Sequence, residues 1–116
     1  MKTNNVYNIT ITETPNGDKI WLKNGLIHND NGPAIETSNG TKFWIINARY
    51  HRLDGPAMEF NNGDKHWYKN GERHRKNGPA IECNNGYKEY WYNGYQLINI
   101  SSDKELKKYI KLLSIS

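Results

Sequence analysis

The sequence predicts a mainly β fold, a single-layer antiparallel meander of hairpin repeats with a C-terminal amphipathic helix. Three observations carry this prediction. The stretch at 65–83, KHWYKNGERHRKNGPAIEC, recurs at a spacing of 23 residues. Asn-Gly pairs punctuate the chain at short intervals, and both central positions of a type I′ hairpin turn need positive φ. No helical period is present before residue 101.

The repeat holds its register without insertion. Trp21, Trp44 and Trp67 form one column, continued by Tyr90. His28, His51 and His74 form a second, Gly-Pro-Ala at 32–34, 55–57 and 78–80 a third, and Glu36, Glu59 and Glu82 a fourth. A glycine column runs through Gly17, Gly40, Gly63 and Gly86, and a lysine column through Lys19, Lys42, Lys65 and Lys88. Such columns build an architecture and by themselves specify no chemistry.

Taken in order, Val6 to Thr12 alternates, with Tyr7, Ile9 and Ile11 on one side, as a half-buried strand does. Pro15-Asn16-Gly17 turns the chain into a strand at 19–23. Asn24-Gly25 is a hairpin turn to 26–28, and 34–37 is the next strand. Reading Asn39-Gly40 as a two-residue turn pairs Thr37 with Lys42 and Ile35 with Trp44. The same rule pairs Met58 with Trp67 and Ile81 with Tyr90, all on one face. Asn47-Ala48 replaces Asn-Gly in the second unit. Alanine at positive φ costs about 1–2 kcal/mol, so a turn of different shape is expected, with Asn47 left-handed. In 101–113, Leu106, Tyr109, Ile110 and Leu113 share one helical face and lysines the other. Ser102 and Glu105 read as a capping box, and the apolar stripe is expected to cover the end of the sheet.

The bulk numbers agree. A chain of 116 residues is one domain by length, 1–116, with repeats over 10–98. Lone Cys83 offers no internal disulfide. Neither the Met1-Lys2-Thr3 start nor any later stretch supplies a signal-peptide or membrane-spanning apolar run, so a cytoplasmic, host-intracellular location is expected. The net charge of +4 favours acidic partners only mildly.

The unit W-x-x-N-G-x-x-H-x-x-x-G-P-A-x-E-x-x-N-G resembles the MORN repeat family. It is closest to a divergent branch reading N-G-x-x-H-R-x-x-G-P-A, which is similar to small phage, viral and bacterial proteins. The resemblance implies an elongated β-meander used in protein–protein contacts, with acidic lipids proposed as ligands for some members. It carries over no catalytic residue. Gly-Pro-Ala stands where MORN units have glycines, His28 is followed by Asn29 rather than Arg, and the helix lies outside the repeat.

Candidate chemistry is sparse. Histidines one unit apart are offset by about 10 Å, too far to share a metal, so the rings are read as structural, packing at a turn or accepting from a backbone N–H. The glutamate column reads as a ladder with nearby lysines or histidines, the tryptophans as core. No cofactor or metal is expected. The pointed hint is a basic cluster with tyrosines: Arg49, Tyr50, Arg52, Tyr68, Lys69, Arg73, Arg75 and Lys76. The expectation is a non-enzymatic protein-binding module, an accessory protein of a phage or mobile element that binds and inhibits a host nuclease or toxin. The alternative is nucleic-acid or anionic-lipid binding through residues 49–76. A small-molecule ligand is not expected, and an open sheet edge near Val6 leaves room for a homodimer.

Overall fold

The computed structural model describes residues 8–114. The chain is a thin slab, 50 × 43 × 17 Å. Its centre is a nine-stranded antiparallel sheet. Eight strands run side by side: Ile9–Glu13, Lys19–Lys23, Ile35–Glu36, Lys42–Phe43, Met58–Glu59, Lys65–His66, Ile81–Glu82 and Lys88–Glu89. The ninth, Leu26–Ile27, pairs with Lys19–Lys23. Beside this sheet stand three short hairpins, Ile45–Ile46 with Arg49–Tyr50, Tyr68–Lys69 with Glu72–Arg73, and Trp91–Tyr92 with Tyr95–Gln96.

Two kinds of turn alternate. Asn24-Gly25, Asn70-Gly71 and Asn93-Gly94 have positive φ at both residues, as type I′ turns require. Asn47-Ala48 keeps that shape, with φ of 49° and 64°, so the expected change of turn does not occur and Ala48 carries the strain. The glycine-column turns are three-residue loops. Thr37 N–H bonds Thr41 O at 2.9 Å and Gly40 N–H bonds Thr37 O at 3.0 Å, while only Gly40 takes positive φ.

That extra loop residue moves the register by one. Ile35 faces Phe43 rather than Trp44, and Glu36 rather than Thr37 faces Lys42. Met58 and Ile81 face His66 on either side, and Ile81 meets Glu89 rather than Tyr90. Because side chains alternate, a shift of one exchanges faces. The tryptophans therefore lie on the opposite face from Ile35, Met58 and Ile81.

The Trp face carries a charge ladder. Glu13, Lys19, Glu36, Lys42, Glu59, Lys65, Glu82 and Lys88 succeed one another across the strands as register partners. Opposite charges facing across each strand pair favour this register. Ala34, Ala57 and Ala80 are fully buried beneath the Trp layer. The other face buries Ile45, Met58 and Ile81.

Each unit is fastened to the next at both ends. His28, His51 and His74 accept through Nδ1 from the backbone N–H of Asn47, Asn70 and Asn93, at 2.8–2.9 Å. At the other end Asp18, Thr41 and Asp64 side chains accept from the N–H of Ser38, Asn61 and Asn84. The histidine column thus has the backbone-accepting role expected of it, and each ring satisfies an N–H that the type I′ turn leaves unpaired.

The first strand departs from expectation. Ile9–Glu13 is exposed at every residue, with Ile9 at 57% and Ile11 at 60%, because no element among the described residues packs over it. Val6 and Tyr7 lie outside the described residues, as does the start of the chain. The helix spans Asp103–Leu113. Ser102 caps it by accepting from Glu105 N–H at 3.2 Å, while Glu105 takes the Ser101 and Ser102 hydroxyls instead of closing a full capping box. Leu106 is 1% exposed, and Tyr90, buried in the Trp column, donates its hydroxyl to Asp103 at 2.8 Å. The helix therefore covers the last unit where the next unit would stack. No helix among the described residues is long and apolar enough to cross a membrane.

Candidate functional site

The eight basic and aromatic residues of the cluster do not form one patch. Alternation along 65–69 and across the hairpins places Tyr50, Tyr68 and Arg73 on one face of the slab and Arg49 and Lys69 on the other, and stacking on Trp44 and Trp67 puts Arg52 and Arg75 with the second group. The two groups do different things.

On the Trp face, Arg52 and Arg75 are built into the repeat. The guanidinium of each lies 3.8 Å from the ring centre of Trp44 or Trp67. Arg52 Nη1 donates to Pro56 O and to Glu59, and Arg75 Nη1 donates to Pro79 O and to Glu82. Their Nε atoms donate to Asp54 and Asn77. One side chain thus closes the Gly-Pro loop, covers the indole and neutralises a ladder glutamate. In the first unit Asn29 reproduces only the first of these bonds, from Nδ2 to Pro33 O at 2.9 Å. That the arginine follows the histidine in two units running was a legible sign of this role.

Lys69 and Lys76 differ. Both are exposed. With Arg52 and Arg75 they line an open groove of about 700 Å³ between the loop at 52–56 and Trp67. A second groove of about 490 Å³ lies between the loop at 29–33 and Trp44.

The opposite face carries a run of aromatic rings. Phe60 meets Phe43 at 5.9 Å between centroids, Phe43 meets Tyr50 at 6.1 Å, and Tyr50 meets Tyr68 at 5.4 Å. Arg73 continues the run, with its guanidinium 5.4 Å from the Tyr68 ring centre and 5.0 Å from that of Trp91. It also donates to the Tyr68 hydroxyl at 2.9 Å. The Tyr87 hydroxyl, and with it the Trp91 indole N–H at 2.8 Å, donates to Glu89 and holds its carboxyl below the ordinary range. His66 packs edge-on to Phe60, and burial keeps its ring neutral-favouring. Phe43, Phe60 and Trp91 were missing from the sequence-based set. Their clue is the alternation itself, since they fall on the face that the corrected register assigns to Tyr50 and Tyr68.

Among the described residues no group of three His, Cys, Asp or Glu side chains is placed to hold a metal ion. Cys83 sits half-buried at a glycine-column turn, and its thiol is pushed above its usual range, first by burial. No family model, curated protein or solved structure matches the chain.

Proposed function

We propose that this chain is a non-enzymatic protein-binding slab that docks its partner on the aromatic face, through Tyr50, Tyr68, Arg73 and the rings around them. The observation that carries the reading is the unbroken run Phe60, Phe43, Tyr50, Tyr68, Arg73 and Trp91 on one side of a single-layer sheet. Tyrosine, tryptophan and arginine are the side chains that most often dominate protein interfaces. Here they are held by one another in rigid, partly exposed positions, so little conformational entropy is lost when a partner covers them. The likeness of the repeat to MORN units supports the same reading. A small slab of this kind would inhibit a nuclease or toxin by occupying its surface, as expected of a phage or mobile-element accessory protein.

Nucleic-acid or anionic-lipid binding is the weaker reading. It asks for a continuous field of uncommitted cations. Arg52 and Arg75 are each bonded to a carboxylate, and Arg73 is on the other face.

The test is affinity capture from native cells with the intact chain, with Tyr50→Ala/Arg73→Ala and with Lys76→Ala. The proposal expects a defined protein recovered by the intact chain and by Lys76→Ala, and lost from the double variant. Capture that is indifferent to the double variant refutes the aromatic face.

A further inference from the structure

The two grooves on the Trp face are the same groove, built twice. One is lined by 52–56, Trp67, Lys69 and 74–77, the other by 29–33, Trp44, Ile46 and 51–54. A shift of 23 residues carries one lining onto the other, position for position. The backbone, the indole, the histidine and the stacked arginine are common to both. The charges are not. Where the first groove has Lys69 and Lys76, the second has Ile46 and Leu53. Counting the carboxylates bonded to the two arginines, Arg52, Lys69, Arg75 and Lys76 against Asp54, Glu59 and Glu82 leave the first with a surplus of one positive charge, supplied by the two lysines. Lys23 and Arg52 against Asp30, Asp54 and Glu59 leave the second with a surplus of one negative charge. Hydrogen bonds from His28 and Arg52 lower the carboxyl pKa of Asp30 and Asp54, so both stay ionised. The segment 52–54 is the ridge that the grooves share.

We propose that this pair of grooves docks an acidic peptide segment carrying a basic residue about three positions beyond its acidic pair. The acidic side chains enter the groove of Lys69 and Lys76. The basic one crosses the ridge to Asp30 and Asp54. Neighbouring units are offset by about 10 Å, two strand spacings, and about three extended residues span that distance. Two observations favour a peptide over a nucleic-acid strand. Arg75 already occupies one face of the Trp67 ring, which takes that face from base stacking. The adjoining groove is net acidic, so a uniform polyanion running along the slab meets repulsion one unit on. This surface lies on the opposite side from the aromatic face, and its success or failure is independent of it.

The experiment is fluorescence anisotropy at low salt with labelled synthetic hexapeptides and a six-nucleotide oligothymidylate. One peptide has two adjacent glutamates and a lysine three residues on, one has glutamates only, and one has the charges inverted. The mixed peptide binds best, the inverted one not at all. Lys69→Gln/Lys76→Gln, at exposed positions, weakens the mixed peptide by about tenfold or more. Ile46→Lys/Leu53→Lys, which copies the basic groove into the acidic one, raises the stoichiometry for the all-glutamate peptide from one to two. Tyr50→Ala/Arg73→Ala leaves these affinities unchanged. Binding indifferent to the lysines, absence of peptide binding, or tighter binding of the oligothymidylate through the same lysines overturns the proposal.

Discussion

The guanidinium carbon of Arg75 lies 3.8 Å from the centre of the Trp67 ring, while its Nη1 reaches both Pro79 O at 3.0 Å and Glu82 at 2.7 Å. Arg52 repeats the arrangement over Trp44. In a sheet with no second layer, this stacked cation does the covering that a packed helix or sheet does elsewhere. Arg75→Ala removes a partly desolvated cation–π contact and a charge-assisted bond, and leaves a half-buried carbonyl without its donor. A loss of about 2 kcal/mol follows, read as a lower urea midpoint. Arg75→Lys recovers little of it, because an ammonium cannot stack flat and bond two acceptors at once. Lys76→Ala stays within about 0.5 kcal/mol of the parent.

The second unit stores backbone strain at Ala48, whose φ is 64°. Ala48→Gly should stabilise the chain by about 1 kcal/mol and raise the melting temperature by a few degrees. Gly71→Ala, at the equivalent turn with φ of 81°, should lower stability by a similar amount. Thermal denaturation of the two variants side by side checks both signs.

His74 makes stability depend on pH on the acid side. His74 accepts at Nδ1 from Asn93 N–H, so protonation there sets donor against donor. Burial, with Lys69 and Lys76 acting the same way, holds its pKa below the ordinary 6.5. The folded value is the lower one. The stabilisation is therefore present above about pH 6.5 and lost as pH falls through the folded value. The urea midpoint should drop between pH 7.5 and 5.5. His74→Asn, whose amide oxygen can take the same N–H, should drop less.

Tyr90 acts on the alkaline side. Burial first, then its hydrogen bond to Asp103, raise its pKa to about 12. The folded value is the higher one, so this contribution is complete below about pH 10 and is lost as pH rises toward 12. Helical ellipticity should fall over that window as the helix loosens from the sheet, and Tyr90→Phe should abolish the step. Leu106→Ala should cost about 2–4 kcal/mol at neutral pH, because Leu106 is the helix's fully buried side chain.

Much of this architecture is legible in the chain. The period, the type I′ turns, the backbone-accepting histidines, the glutamate–lysine ladder and the helix cap all follow from local patterns. The choice of face does not. Asn24-Gly25 and Asn39-Gly40 read alike, yet the first closes a two-residue turn and the second belongs to a three-residue loop. The difference lies in Thr37, which pairs with Thr41 across the loop and admits Ser38 as an extra residue. That one residue puts Trp44 on the opposite face from Ile35 and divides the basic cluster between two surfaces. The recurrence of Arg52 and Arg75 after the histidine hints that they belong to the repeat, but their partners are hidden, because these depend on where the Gly-Pro loop leaves its carbonyls.

The most direct measurement is site-specific photo-crosslinking in native cells, with a benzophenone amino acid placed at Tyr50 on the aromatic face or at Ile11 on the Trp face. The account predicts one discrete protein adduct from position 50, abolished by Arg73→Glu, and none of that mass from position 11. Adducts of the same protein from both positions, or none from position 50, would contradict it.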